Sequence, residues 1–503
     1  MKDILTVELR LDESEELLKK RVAKKVGGDK EFYIVKKAID ARKKNDIKIV
    51  YNVAFGKRED AREEKKVLSD RSVVVVGAGP AGLFCALTLC RAGLKPIVFE
   101  RGEKVEDRSK SVLSFFSGGA LNEDSNVQFG EGGAGAFSDG KLNTQVNNEV
   151  IDGVLRDFAY FGAPEEITYL SKPHIGSDNL PKVVSNIRKY IESFGGKFYF
   201  GRKVDDVIIE GGTIKGVKSG GETFEADYVV TAIGHSARDT FKMLFDRGVF
   251  MEGKDFAVGF RIEQKQSLIN KDRFGRFCDH KKLGAADYKL VSHASDRATF
   301  TFCMCPGGQV IAAASENGGL CVNGMSNYAR NAENANSAVI CQIGRSDFGS
   351  GVFDGVEFQK RIEKAAFMLG GGDHVAPVQL AEDFIAGRKS LSANGVEPSY
   401  PRGVRYADMS GLYPESITDA IKKGLVEMDE RLKGFASCGA ILTGAETRSS
   451  SPVRITRTEK FASVNVKNLY PCGEGCGYAG GIASAGADGV KVARAIIDDI
   501  LSV

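Results

Sequence analysis

Three glycine-centred segments, at 77–82, 231–234 and 472–476, lie far apart in a chain of 503 residues. Glycine has no side chain, so each of these segments could let a ligand lie directly against the backbone. An acid, Glu100, follows the first segment at about the twenty-residue spacing at which a carboxylate reaches the ribose hydroxyls of a nucleotide. These residue types and their order predict a dinucleotide site assembled from distant parts of the chain.

The first segment, Gly-Ala-Gly-Pro-Ala-Gly, needs a strand before it and a helix after it. The β-branched run at 72–76 predicts the strand, and the apolar spacing at 80–92 predicts the helix. Gly77 then permits a tight turn, Gly79 lets the backbone approach a pyrophosphate, and Gly82 allows the helix to pack closely. The N-terminus of this helix would offer unpaired N–H groups to the phosphates.

The last segment, Cys-Gly-Glu-Gly-Cys, lies between a predicted strand at 468–471 and a long predicted helix at about 482–501. Glu474 could accept hydrogen bonds from the ribityl or phosphate side of a flavin dinucleotide. The N–H groups near Gly481 could face the N1–C2=O edge of the flavin ring. Reduced flavin is anionic at that edge, and a helix N-terminus would stabilise the charge.

A fourth glycine-dense stretch, at 129–142, is unsuited to the interior of a helix or strand and suggests backbone lying against a planar or phosphate ligand. Lys141, near its end, could bring an ammonium group to the isoalloxazine ring. The alternative is a loop lysine in a salt bridge. His174, in a turn before a helix predicted at 180–194, is the best histidine candidate for a substrate-side acid or base.

Two cysteine pairs are candidates for redox chemistry. Cys472 and Cys476 flank the predicted flavin site and could form a thiol–flavin relay, although their spacing differs from the Cys-x-x-Cys of dithiol oxidoreductases. Cys303 and Cys305 lie on a predicted strand and are interpreted as buried residues. Neither pair has the partner spacing of a zinc or iron–sulfur centre, so no metal site is predicted.

The predicted ligand contacts come from all the glycine-rich segments and from the strand ends beside them. The catalytic candidates are Lys141, His174 and Cys472. Arg448 and Arg454 are candidates for charged contacts to substrate or cofactor. His235 and Arg238 could contact the pyrophosphate or a domain interface. The predicted cofactor-binding residues are Gly77, Gly79, Pro80, Ala81, Gly82, Glu100, Arg101, Gly132, Gly133, Ala134, Gly135, Lys141, Val204, Ala232, Gly234, Gly473, Glu474, Gly480, Gly481 and Ile482.

The composition is that of an ordinary globular protein, with 42% hydrophobic residues and a net charge of +3. So small a charge would not steer the whole chain to nucleic acid or anionic lipid. The N-terminus has no apolar signal region and no stretch is apolar enough to span a membrane, so a cytoplasmic location is expected. The ten cysteines are scattered through apolar segments, a pattern that favours reduced thiols.

The order of predicted elements indicates an α/β fold with a discontinuous, Rossmann-like FAD-binding domain, an inserted α+β substrate domain and a small N-terminal α+β module. The module would cover 1–68, with strands near 4–11, 32–38 and 47–54 and a helix at 15–26. The predicted domain boundaries are 1–68, 69–250, 251–445 and 446–503, with the second and fourth segments forming one cofactor domain.

Several further motifs match a known family when taken together with the glycine segments. The chain resembles, nearly end to end, bacterial FAD-dependent dehydrogenases often described as NAD(FAD)-utilising, a branch of the glutathione-reductase-like flavoprotein superfamily. The resemblance implies FAD as cofactor. Cys476 departs from the small alanine more usual there, which argues against a family-wide role for the Cys472 and Cys476 pair. The matching motifs lie at 129–142, 234–239, 256–263, 301–308, 323–326, 446–455 and 472–489.

The leading hypothesis is an oxidoreductase in which FAD passes hydride at N5 between a donor and an unidentified small-molecule substrate or redox partner. No second Gly-x-Gly-x-x-Gly follows a strand, so NADH or NADPH, if it is the donor, would dock transiently over the ring. The alternatives are a flavoprotein acting on RNA, which the near-neutral charge disfavours, and an electron-transfer or interaction subunit. The substrate, the choice of nicotinamide and the oligomeric state stay open.

Overall fold

The N-terminal part of the computed structural model is a small α+β module. The model describes residues 4–58, 64–142 and 149–502. Strands β1 (Ile4–Arg10), β2 (Phe32–Asp40) and β3 (Lys48–Phe55) form an antiparallel sheet in the order β1-β3-β2, and α1 (Glu16–Val26) packs against it. Alternation along β1 buries Val7 and Leu9 on one face, as a half-buried strand requires. The predicted strands and helix of this module are confirmed.

Residues 64–250 contain the first part of a parallel sheet and the helices that flank it. The N-terminal glycine motif lies between the strand Val73–Val76 and the helix Pro80–Ala92, as predicted. The segment 222–231 forms two short strands in different sheets, Glu222–Glu225 and Tyr228–Thr231. The elements are β4 (Val73–Val76), α2 (Pro80–Ala92), β5 (Ile97–Phe99), α3 (Val105–Phe116), α4 (Glu149–Tyr160), α5 (Leu180–Ser193), β6 (Lys197–Tyr199), β7 (Asp206–Glu210), β8 (Thr213–Ser219), β9 (Glu222–Glu225), β10 (Tyr228–Thr231) and α6 (Arg238–Asp246), with 3₁₀ turns at Ala134–Phe137 and Glu165–Thr168.

Residues 251–455 form a second unit around a seven-stranded sheet. The strands Met251–Gly253 and Val453–Ile455 pair with each other where the chain enters and leaves this unit. In the numbering given below, the order of strands in the large sheet is β13-β14-β17-β12-β20-β18-β19. Its elements are β11 (Met251–Gly253), β12 (Phe256–Lys265), α7 (Gln266–Phe274), β13 (Val291–Ser292), β14 (Thr299–Cys305), β15 (Gln309–Ala312), β16 (Val322–Met325), β17 (Asn334–Ile343), α8 (Arg345–Phe348), α9 (Asp354–Gly370), β18 (Ala376–Leu380), α10 (Ala381–Ala386), β19 (Val404–Tyr406), α11 (Glu415–Arg431), β20 (Ile441–Glu446) and β21 (Val453–Ile455), with a 3₁₀ turn at Gly275–Phe277.

The C-terminal segment returns to the parallel sheet. Strand β22 (Leu469–Pro471) pairs with β10, which gives the sheet order β22-β10-β4-β5-β6, and α12 (Ile482–Leu501) packs along α2. A sheet strand contributed from beyond the seven-stranded unit confirms that the nucleotide-type domain is discontinuous. All four valines of β4 are buried, as expected for a central strand of a parallel sheet covered on both faces.

Candidate functional site

The carboxyl ends of the parallel strands form one wall of a deep cavity of about 340 Å³. Open parallel sheets bind ligands at this edge, where the loops after the strands meet the helix N-termini. Gly77 follows β4, Glu100 follows β5, Ala232 follows β10 and Cys472 follows β22, and all four line the cavity. The opposite wall comes from the seven-stranded unit.

Most of the residues predicted from sequence lie together on this cavity. Four predicted site residues do not line it: Gly82, Gly132, Gly473 and His174. The predicted residues that do line it are Gly77, Gly79, Pro80, Ala81, Glu100, Arg101, Gly133, Ala134, Gly135, Lys141, Val204, Ala232, Gly234, Cys472, Glu474, Gly480, Gly481 and Ile482.

The three glycines outside the cavity hold its walls together. A Cβ at Gly82 would lie 1.9 Å from the carbonyl oxygen of Gly77, so only glycine lets α2 approach the turn. The Gly132 N–H donates to the carbonyl oxygen of Ala78 at 2.8 Å. The Gly473 N–H donates to Asp488 Oδ2 at 2.8 Å. Gly82 therefore has the close packing role predicted for it, whereas Gly132 and Gly473 use their N–H groups inside the protein, and none of the three lines the cavity.

Other glycines open directly onto the cavity. A Cβ at Gly79 would meet nothing closer than the Cα of Gly133 at 3.8 Å, and a Cβ at Gly234, Gly480 or Gly481 would meet no described atom within 4 Å. Among the described residues, no side chain caps the N-terminus of α2 or α12. Uncapped N–H groups at two helix starts and bare backbone around them fit the phosphates and ring of a flavin dinucleotide.

Glu100 has an additional structural role that the sequence did not indicate. Its buried carboxylate accepts the N–H groups of Ala78 at 2.8 Å and of Gly102 and Gly130 at 3.0 Å. A carboxylate has about four acceptor positions, so these bonds leave about one for a ribose hydroxyl. Glu100 therefore first fixes the turn after β4 and the glycine-rich segment against each other.

Arg101 closes the nucleotide end of the cavity. Its guanidinium donates to Asp239 Oδ1 and to the Thr240 hydroxyl, both at 2.8 Å. It also lies over the Phe129 ring, 4.3 Å from the ring centroid, a cation–π arrangement. These contacts hold α6 and the loop after β5 together beside Val204.

The end of the cavity nearest the seven-stranded unit has ionisable side chains. Lys141, Cys303, Glu446 and Glu474 all line the cavity, and Lys141 and the two acids all interact electrostatically with Cys303. Burial raises the pKa of Glu446 to about 7, although the Arg261 guanidinium opposes that shift. Removal from water also raises the pKa of Glu474 to about 7. Two carboxyl groups that titrate near neutrality can hold or release protons next to a ligand.

His174 does not line the cavity, so this geometry gives no support to its role as a substrate-side acid or base, which stays a prediction. Its Nε2 lies 3.0 Å from the carbonyl oxygen of Tyr328, and its ring stacks on the Tyr328 ring. Burial lowers its pKa, which favours the neutral imidazole. Its backbone pairs with Lys141, so the residue supports the loop that carries the lysine.

The Cys472 and Cys476 thiols are buried and stay protonated at neutral pH. Burial raises the pKa of Cys472 well above its ordinary value and that of Cys476 to about 12. The Cys476 thiol donates to the carbonyl oxygen of Thr231 at 3.1 Å. Cys472 lines the cavity, but burial disfavours its thiolate, so its part in a thiol–flavin relay stays a prediction.

The remaining charged candidates separate into interface and peripheral residues. Arg448 lines the cavity and also donates to Glu363 with two nitrogens, at 2.9 and 2.8 Å. Arg238 donates to the same carboxylate, so it lies at the interface between the two units. Burial and these two arginines lower the pKa of the cavity-lining His235 to about 4. Arg454 is not part of the cavity wall; its guanidinium lies over the Tyr478 ring.

Sequence reasoning missed the residues that the seven-stranded unit contributes. Phe302, Cys303, Asn323 and Glu446 all line the cavity. One signal was available for Glu446, because it ends an apolar strand in the same way that Glu100 follows β5. For the other three, no spacing rule connects them to the glycine segments.

The described residues include neither a membrane-spanning helix nor a metal-binding cluster. None of their helices combines the length and the apolar character needed to cross a membrane. No cluster of three or more histidine, cysteine or acidic side chains among them could hold a metal ion.

Comparison with known protein families gives matches to both halves of this site. A model described as an FAD binding domain matches residues 72–131, and one described as an FAD-dependent protein, C-terminal domain-like, matches residues 255–449. A domain of unknown function matches residues 1–56. With the parallel sheet and the cavity at its carboxyl edge, these matches define an FAD-dependent oxidoreductase.

A relative that matches almost the whole chain identifies the protein family to which this chain belongs. A Clostridium beijerinckii protein, described as an uncharacterized protein, is 46% identical over 98% of each chain. The chain belongs to the same protein family as this relative. A shorter match, 34% identical, covers 18% of this chain and 18% of the glutamate synthase [NADPH] small chain of Escherichia coli.

Solved structures with matching chains are distant. A geranylgeranyl bacteriochlorophyll reductase-like protein from Thermoplasma acidophilum has a TM-score of 0.37 and 11% identity, over 85% of this chain and 79% of that one. L-proline dehydrogenase from P. horikoshii has a TM-score of 0.35 and 12% identity, over 86% and 95% of the two chains.

Proposed function

We propose that this protein transfers hydride between a nicotinamide or other small donor and a small-molecule substrate through FAD held in the 340 Å³ cavity. We further propose that it belongs to the NAD(FAD)-utilising branch of the glutathione-reductase-like superfamily. The observation that carries the proposal is the convergence of four glycine-rich segments and two uncapped helix N-termini on one cavity.

The protein's own residues divide the work of binding. The α2 N-terminus and Gly79 would hold the pyrophosphate, Glu100 the adenosine ribose, and the α12 N-terminus near Gly481 the pyrimidine edge of the ring. When bound, FAD supplies a two-electron acceptor and donor at N5. The Lys141 ammonium group would stabilise negative charge that develops on the flavin ring.

The substrate would enter from the seven-stranded unit, where the cavity wall consists of side chains. Glu446 and Glu474 can exchange protons near neutral pH because their pKa values are raised to about 7. Phe302 and Asn323 supply an apolar and an amide surface at the same end. This wall therefore suits a small molecule that changes protonation as it is oxidised or reduced.

The test is the visible spectrum of the purified protein, before and after FAD is supplied, followed by anaerobic addition of NADH or NADPH. A flavin spectrum that is bleached by one nucleotide identifies the donor. A protein that binds no flavin even with added FAD contradicts the cofactor site. Bound flavin that neither nucleotide reduces contradicts the nicotinamide part alone and leaves another donor.

A further inference from the structure

Cys303 occupies an unusual backbone position on the cavity wall. It is partly exposed and lies on β14, where the pairing with β17 shifts register between Phe302 and Cys305. Its φ is 45°, in the left-handed region that residues with a side chain rarely adopt. Such a conformation is strained and persists where surrounding contacts enforce it, often at functional sites.

One buried guanidinium holds Cys303 and Cys305 next to each other. Arg261 donates to the carbonyl oxygen of Cys303 at 2.6 Å and to Cys305 Sγ at 3.3 Å. Its other contacts, to Asn336 at 2.8 Å and to Glu446 at 3.1 Å, keep it in place. Cys305 Sγ also lies 3.4 Å from the carbonyl oxygen of Cys303. The two cysteines are therefore a built pair, with Cys303 on the cavity and Cys305 fully buried behind it.

The charges around the pair favour the Cys303 thiolate. A hydrogen bond with the Cys305 thiol, and then the cations Arg261 and Lys141, lower the pKa of Cys303 to about 6, against the opposing effects of burial and of Asp139. The same hydrogen bond and burial raise the pKa of Cys305. The two pKa shifts have opposite directions, so a single proton on the pair is favoured on Cys305.

Two acids complete the electrostatic surroundings of Cys303. Glu446 and Glu474 both interact with the Cys303 charge, and each has its own pKa raised to about 7. They are partly protonated when the thiolate forms, so they oppose it less than fixed carboxylates would. Arg261 and Lys141 act in the opposite direction to these acids, because both cations lower the pKa of Cys303.

We propose that Cys303 is a hydroperoxide-reactive thiolate and that Cys305 is the thiol that resolves it as an intramolecular disulfide. An accessible thiolate beside a second cysteine is the usual arrangement of reversible thiol oxidation sites. This modification site needs only the geometry of the two cysteines and the cavity, and it goes beyond the proposed hydride transfer.

Oxidation of the cysteine pair proceeds in two steps. The Cys303 thiolate attacks a peroxide oxygen, the O–O bond breaks, the sulfur becomes a sulfenic acid, and hydroxide or alkoxide leaves. The Cys305 sulfur then forms the S–S bond, the S–O bond breaks, and the oxygen leaves as water with the Cys305 proton. The sulfur pair loses two electrons and the peroxide gains them. The product removes a negative charge from the cavity wall beside Lys141.

The experiment treats the purified, flavin-containing protein with hydrogen peroxide and maps the cysteines by tandem mass spectrometry. Trypsin releases residues 298–330, which contain both cysteines and the buried Cys321, so fragment ions locate the bond. We expect a Cys303–Cys305 disulfide in the wild type. In Cys305→Ser we expect a sulfenic acid that dimedone traps at Cys303.

The rate gives a second readout. At pH 6 we expect Cys303 to react roughly tenfold faster than N-acetylcysteine in the same tube, since its larger thiolate fraction outweighs its lower intrinsic nucleophilicity. Cys341→Ala, which changes a buried thiol on neighbouring β17, should leave the rate and the product unchanged.

Three results would overturn the proposal: no disulfide in the wild type, no dimedone adduct at Cys303 in Cys305→Ser, or a rate no faster than that of N-acetylcysteine. Cys303→Ser should abolish both products. If that variant does not fold, Cys305→Ser and the wild-type rate still decide the question, because both retain the Cys303 thiol.

Discussion

The two ends of the cavity are built from different materials. At the nucleotide end, glycines, strand ends and helix N-termini bring backbone to the cavity, beside side chains such as Glu100 and Arg101. At the other end the wall consists of side chains such as Cys303, Glu446 and Lys141, held by buried ion pairs. Backbone geometry recognises a constant cofactor, whereas side-chain charge can be tuned to a particular reaction.

The largest effect should come from the ion-pair cluster that joins the two ends. Glu363 is buried and accepts from both Arg238 and Arg448. Glu363→Gln leaves the buried Arg448 without its carboxylate partner and leaves Arg238 with Glu316 alone, so we expect a loss of about 3–5 kcal/mol in the free energy of unfolding. Urea denaturation measures it. Glu357→Gln on the same helix, with a largely exposed side chain, should cost less than about 0.5 kcal/mol. Equal losses in the two variants would contradict a structural role for the cluster.

The same cluster predicts a pH dependence. Arg448 and Arg238 hold the pKa of Glu363 far below its ordinary value, against the opposing effect of burial. A carboxyl group with a lowered folded-state pKa stabilises the protein fully above its unfolded pKa of about 4.5, and that stability is lost as the pH falls below it. We therefore expect the midpoint of urea unfolding to fall steeply below about pH 4.5 in the wild type. The fall should be smaller in Glu363→Gln.

A bulky residue at Gly79 should weaken FAD binding at the nucleotide end of the cavity without preventing folding. Gly79 has φ −74°, which any residue can adopt, and its missing Cβ points into open cavity space. Gly79→Leu should therefore fold but fill the pyrophosphate position. An overpacking cost of about 1–3 kcal/mol corresponds to roughly 5- to 150-fold weaker FAD binding.

The control for Gly79→Leu is Gly153→Leu, in α4, where a Cβ would also meet no described atom within 4 Å. FAD titration by fluorescence measures both variants. Unchanged FAD affinity in Gly79→Leu would break the assignment of the backbone end. Equal loss in both variants would indicate a general effect of leucine on folding.

The smallest change in stability should come from substitution of Cys472. This variant also compares the reactivity of the two cysteine pairs. Its thiol is buried and protonated, so Cys472→Ala removes only packing, at a cost of about 1 kcal/mol. Alkylation by iodoacetamide at pH 7 should modify Cys303 at the same rate in this variant and in the wild type. A loss of fast alkylation in Cys472→Ala would mean that Cys472 is the reactive thiol after all.

Local sequence patterns predicted the backbone end of the site well. The run at 72–76 and the helix at 80–92 appear at those places, and the C-terminal helix starts at Ile482 as expected. These features depend on residues close in sequence, where periodicity and glycine positions are informative. Gly473 shows the limit, because its N–H is used by Asp488, a partner fifteen positions away on α12.

The side-chain end of the site could not be predicted in the same way. Cys303 and Cys305 alternate along a strand pattern, which indicated burial for both. The register shift beside Cys303 and the Arg261 guanidinium from another strand bring one sulfur to the cavity and leave the other inside. The contact of His174 with Tyr328 could not be predicted for the related reason that the two residues lie 154 positions apart.

The sequence by itself therefore determined a nucleotide-type domain, its discontinuity and most of the glycine surface that faces the cavity. Glycine spacing and hydrophobic period act over a few residues, and both can be read directly from the chain. The raised pKa values of Glu446 and Glu474 and the lowered pKa of Cys303 follow from the folded arrangement alone. Those properties depend on burial and on charges from strands that are distant in sequence.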